Sequence, residues 1–115
     1  MRKYKEFRLN IKPLEAAVKL ASDEQLKAYI AHSDYKESGE DDKQISIIVL
    51  EKFFFRNGSS ASLTITIDNF GGETVMKCVS TGNGEGILDI GWGAGTSFIK
   101  SASQALDEHI VAVGP

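Results

Sequence analysis

The chain has 115 residues, 42% hydrophobic and 25% charged, with a formal net charge of -3. That length suits one domain burying roughly two thirds of the surface its unfolded chain exposes, and the composition excludes the low-hydrophobicity, high-charge region where chains stay disordered. The small negative charge excludes the broad cationic surface that phosphate-backbone binding requires, so nucleic acid is not an expected partner.

Along the chain, Lys5 to Ile11 alternate, with Phe7, Leu9 and Ile11 on one side and Glu6, Arg8 and Asn10 on the other, as in a half-buried strand. Pro13 ends it. Proline suits the first turn of a helix, where its missing amide proton has no intrahelical partner, and LEAAVKLA then predicts a helix from Pro13 to Ser22 with Leu14, Ala17, Val18 and Ala21 on its apolar face. The segment from Leu26 to Tyr35 reads two ways. SDEQ resembles a capping box opening a helix, but Leu26, Ala28, Ile30 and His32 alternate with Lys27, Tyr29, Ala31 and Ser33, which favours a strand. KESGEDDK is a solvated loop.

QISIIVLEKFFFR, Gln44 to Arg56, is the longest strand candidate, rich in β-branched and aromatic residues. After the NGSS turn, ASLTITIDNF alternates strictly, placing Ala61, Leu63, Ile65 and Ile67 inward and Ser62, Thr64, Thr66 and Asp68 outward. Asn69 to Gly72 turns the chain into a strand over ETVMKCVS, and the glycines at Gly82 to Gly86 turn it again before ILDI. A closing helix is predicted from Phe98, Ala102, Ala105, Leu106, His109, Ile110 and Val113 at helical spacing. Consecutive short strands pair as antiparallel neighbours, and helices must cover their apolar face. The expected fold is therefore α+β in two layers: a mostly antiparallel sheet of about five to six strands under a C-terminal helix and a short N-terminal helix, in one domain spanning 1–115.

The chemical signals are sparse. GWGAGTS has glycines before a helix start but lacks the lysine of a phosphate loop, so Gly93, Gly95, Thr96 and Ser97 form at most an anion site and more economically a sharp strand-to-helix bend. Neither His32 nor His109 has ligand partners at metal spacing, Cys78 stands alone among strand residues, and no metal, cofactor or catalytic set is expected. No run reaches the length of a membrane span, the opening residues are charged, and a single cysteine suits a reducing compartment, which together imply a cytoplasmic protein without a membrane partner.

The strongest lead is that both faces of Gln44 to Arg56 are apolar: Ile45, Ile47, Val49, Phe53 and Phe55 on one, Ile48, Leu50 and Phe54 on the other. A small antiparallel sheet usually needs one such face, so the second meets helices, a pocket or another subunit. Ile48, Leu50 and Phe54 are the candidates for a self-association surface or for the lining of an apolar pocket; the first makes a homo-oligomer the expected assembly and a non-catalytic binding or interaction module the expected function. The alternative is a small-molecule carrier or enzyme whose apolar pocket lies between the sheet and the C-terminal helix, with Asp89, Trp92 and His109 at its mouth.

The alternating strand, the glycine turn after VS, the short apolar strand and the WG step into a Ser-Phe helix opening, all within ASLTITIDNFGGETVMKCVSTGNGEGILDIGWGAGTSFIKSA, resemble a family of small bacterial proteins, chiefly from Gram-positive anaerobes, carried as a domain of unknown function. An extended segment at LKAYIAHSDYKE is also similar. The resemblance implies a bacterial α+β domain and brings no activity, cofactor or catalytic residue with it.

Overall fold

The computed structural model describes residues 2–54, 58–83 and 98–114. Its strands are β1 (Arg2–Leu9), β2 (Ile30–Glu37), β3 (Gln44–Phe54), β4 (Ser59–Asp68), β5 (Thr74–Asn83) and β6 (Ile110–Gly114), with helix α1 over Pro13–Ser22. A second helix, α2, is described over residues 98–105. Among the described residues the strands form one sheet in the order β2-β3-β4-β5-β1-β6, every neighbouring pair antiparallel. The fold is α+β, as the sequence predicts.

Topology explains why both described helices lie on one face of this sheet. Through the chain of antiparallel pairings, β1 runs parallel to β2, and β5 parallel to β6. The connections β1-α1-β2 and β5-α2-β6 are therefore crossovers, a kind of connection that takes a right hand in nearly all proteins. They start from adjacent antiparallel strands and travel in opposite directions across the sheet. A half turn about the sheet normal relates two such paths, so the same hand puts both helices on the same side. One hydrophobic cluster results, joining Ala16 and Leu20 of α1, Ala102 of α2 and Leu106 just after it to Leu63, Ile65 and Ile67 of β4.

Most local expectations hold. β4 alternates buried and half-buried along its whole length, and Gln44 to Phe54 is one strand. The ambiguous segment resolves into a 3-10 turn at Lys27–Tyr29 and then the edge strand β2. Gly72 takes a φ of +100°, a backbone conformation that only glycine holds without strain, in the turn between β4 and β5. That turn is locked by Asn69, whose Oδ1 accepts from Gln44 N at 2.8 Å while its Nδ2 donates to Asp42 O at 3.1 Å. Gln44 in turn accepts the Leu14 N–H at 3.0 Å, occupying one of the unpaired amides at the start of α1.

Two expectations are corrected. Most of the predicted inward face of α1 turns outward: Leu14 and Val18 are 41% and 55% exposed and Ala21 is exposed, Ala17 is half-buried against the core, and Pro13, Ala16 and Leu20 are the buried residues. Both sets are spaced for helical stripes, and the buried proline with the Gln44 contact fixes which one faces in. The closing helix also stops early. A 3-10 turn at Asp107–His109 leads into strand β6, so Ile110 and Val113 belong to a strand. β1 offers open ladder positions at Glu6 to Leu9, and the β-branched run Ile110-Val111-Ala112-Val113 fills them.

Candidate interaction surface

No described element packs on the side of the sheet away from the helices. The strand registers arrange that face in rows across the sheet. Val49, Thr64 and Val79 share one row, with His32 and Tyr4 at its ends; Ile47, Thr66 and Lys77 share the next, with Asp34 and Glu6 at its ends. The third holds Ile45, Asp68 and Val75, ending in Lys36 and Arg8. Ile45, Ile47, Val49, Thr64, Thr66 and Val79 are all half-buried. The centre is therefore a flat field of β-branched side chains, stiff at χ1 and costing little entropy to cover.

Most of its charge stands at the margins, with Asp68 between Ile45 and Val75 as an exception. Arg8 Nη1 pairs with Glu73 Oε2 at 3.0 Å, the Tyr4 hydroxyl donates to Glu6 Oε1 at 2.8 Å, and the Ser62 and Thr81 hydroxyls share a hydrogen bond of 2.6 Å. Lys77 interrupts the field directly beside Glu6 in the register.

The residues expected to form this surface lie elsewhere. Ile48 and Leu50 are 3% and 1% exposed and belong to the core cluster beneath the helices. Phe54 ends β3 opposite Ser59, and its side chain lies outside the described residues. The physical reason is parity: residues on either side of a strand are equally greasy here, and the crossovers chose the even-numbered set of β3 as the covered one. Alternation did separate Ile45, Ile47 and Val49 from Ile48 and Leu50, so the signal for the open face was present without its sign.

Asp89 and Trp92, expected at a pocket mouth, and Gly93, Gly95, Thr96 and Ser97, the anion-site candidates, lie outside the described residues. His109 serves the joint between the last turn and the first strand. Its Nδ1 lies 3.1 Å from Asn10 Oδ1, which places the ring proton on Nδ1, and its carbonyl accepts the Asn10 N–H at 2.9 Å. Nε2 is 3.3 Å from Glu108 Oε1 but off the line a hydrogen bond needs. Cys78 is fully buried on the helix side of β5, and burial pushes its thiol up to about 12, which suits a small core residue and not a nucleophile. Among the described residues no three histidine, cysteine or acidic side chains gather as a metal site, and no helix is long and apolar enough to cross a membrane.

A hollow of about 280 Å³ does lie beside α2, against the helix side of β1. Phe7, Ile99 and Val113 form its apolar wall, and Lys3, Lys5 and Lys100 stand around it. His109 does not line it. The sequence gives no local sign of this grouping, because Lys100 is remote in the chain from Lys3 and Lys5.

The sequence profile of a family of unknown function, DUF6054, matches residues 5–110. The chain belongs to that family. All of β2, β3, β4 and β5 falls inside the matched span, so the four strands carrying most of the open face are family elements and not additions peculiar to this chain. No curated protein and no solved structure matches the chain.

Proposed function

We propose that this DUF6054 member is a non-catalytic interaction module that self-associates through the open face of its sheet. The observation that carries the reading is the field of Ile45, Ile47, Val49, Val75 and Val79, left without a described covering element by two helices that share the opposite side. An isologous contact needs a surface that fits its own copy. A two-fold axis running across the strands at the Ile47–Thr66 row would set Val49 over Ile45, Val79 over Val75 and Thr64 over Asp68, matching apolar to apolar and hydroxyl to carboxylate; it also brings Lys77 against its own copy, a like-charge contact with Glu6 beside it in the register. Four strands about 4.8 Å apart and about 30 Å long present on the order of 600 Å² of projected sheet, close to the ~800 Å² per partner of a standard interface.

Light scattering coupled to size exclusion tests it. The expected mass is twice the 12.5 kDa of one chain, returning to that of one chain in an Ile47→Lys, Val49→Glu double variant whose circular dichroism is unchanged. A wild-type protein that stays monomeric at sub-millimolar concentration overturns the reading. A small-ligand role is the second reading, favoured by the hollow beside α2.

A further inference from the structure

The hollow beside α2 combines two features that together narrow its ligand. Its wall is apolar: Phe7 and Ile99 are 5% and 6% exposed, and Val113 of β6 stands open at 59%. Its rim is cationic, with Lys3 and Lys5 from the helix side of β1 and Lys100 from α2, and no carboxylate lines it. This happens in a chain carrying 16 acidic against 13 basic residues, where a basic cluster is not what composition alone would scatter onto one spot. Three cations elsewhere are paired, Arg8 with Glu73, Lys12 with Asp42 and Lys27 with Glu24; among the described residues Lys3, Lys5 and Lys100 are in no ion pair and converge on one hollow.

A purely apolar ligand would leave the three ammonium groups without a purpose, and a small inorganic anion would make no use of Phe7, Ile99 and Val113. From this we infer that the hollow binds a single-chain amphipathic anion, a medium-chain carboxylate whose tail lies on Phe7 and Ile99 and whose head is held by Lys3, Lys5 and Lys100. This names the ligand class for the second reading above and is independent of the open face, which lies on the other side of the sheet. The volume of about 280 Å³ sits at the small end of ligand cavities, which span about 300–1,000 Å³, and favours one short chain over a two-tailed lipid. Lysine suits the head because an ammonium on a flexible stem follows a point charge without demanding bidentate geometry.

Calorimetric titration of the full chain with octanoate, decanoate, decanol and decyltrimethylammonium, all below their micelle concentrations, tests the inference. Saturable binding of decanoate is expected, about fifteenfold tighter than octanoate because each buried methylene contributes about fourfold, with decanol weaker and the cationic amphiphile not bound. A Lys5→Glu, Lys100→Glu double variant should lose decanoate affinity at least tenfold while decanol is unchanged. Both lysines are exposed, so folding survives the change, and methyl NMR shifts at Ile99 and Val113 on decanoate addition place the ligand even if heat is small. Decanol binding as tightly as decanoate overturns the charge assignment while keeping a ligand site. No saturable binding of any amphiphile, with Ile99 and Val113 unmoved, overturns both the inference and the ligand reading.

Discussion

On β3, Ile48 and Leu50 are sealed in the core while Ile45, Ile47 and Val49, one residue away and equally apolar, stay half-covered. On β4 the two sets differ in kind: Leu63, Ile65 and Ile67 face the helices, and Ser62, Thr64 and Thr66 face away. The two strands are neighbours in one sheet with the same inner and outer sides. Chemistry alone therefore assigns the faces of β4, whereas those of β3 are assigned by their partners. The apolarity of β3's outer side exceeds what the described core uses, and it is the basis of the self-association proposed above.

Substitutions on the two sides should separate them. Leu63→Ala, at a site with 0% exposure, is expected to cost about 2–5 kcal/mol through lost transfer energy and an unfilled cavity. Thr64→Ala, one residue along on the open side, should cost under about 1 kcal/mol. Urea unfolding of both variants reads the difference, and equal losses would mean that the open face is as tightly packed as the core.

A smaller, pH-dependent contrast comes from Cys78. The fold holds its thiol neutral, with a pKa raised from 9.0 to about 12 by burial, while the unfolded chain ionises near 9.0. Ionisation then favours the unfolded state, so the thiol's stabilising contribution is complete below pH 9 and is lost as pH climbs towards 12. Melting curves of wild type and Cys78→Ala should converge with rising pH across that window. Parallel curves would show that Cys78 reaches solvent in the native state.

The smallest effect belongs to the margin of the open face. Glu73→Gln removes the partner of Arg8, whose side chain is 46% exposed, and should change stability by about 0–1 kcal/mol, less at high salt. A larger loss, seen in the same urea series, would mean that this ion pair is shielded by something covering the face.

These contrasts also show where the chain was readable on its own. The strict alternation in Ala61 to Asp68 has one interpretation, and β4 follows it. Pro13 announces α1, but Leu14 with Val18 and Ala16 with Leu20 are two stripes at the same spacing on nearly opposite sides. The choice between them rests on Gln44, thirty positions away. The stretch after Leu106 fits a helical period, yet β-branched residues and the vacant ladder of β1 make it β6. Such outcomes depend on groups distant in sequence, as does the meeting of Lys3 and Lys5 with Lys100, and periodicity within a window carries no record of them. For the candidate surface, the apolar doubling of β3 was legible; which half would be left open was decided by the common hand of two crossovers.

That topology has a bearing on biosynthesis. β1 is wedged between β5 and β6, so it is made before both of its neighbours and has neither until Thr74 and then Ile110 have been translated. The meander β2 to β5 can zip up as hairpins while elongation proceeds. β1 must instead be held, uncommitted, while the residues up to β5 are made, and a chaperone that shelters Phe7 and Leu9 during that wait would act on the least local pairings of the sheet.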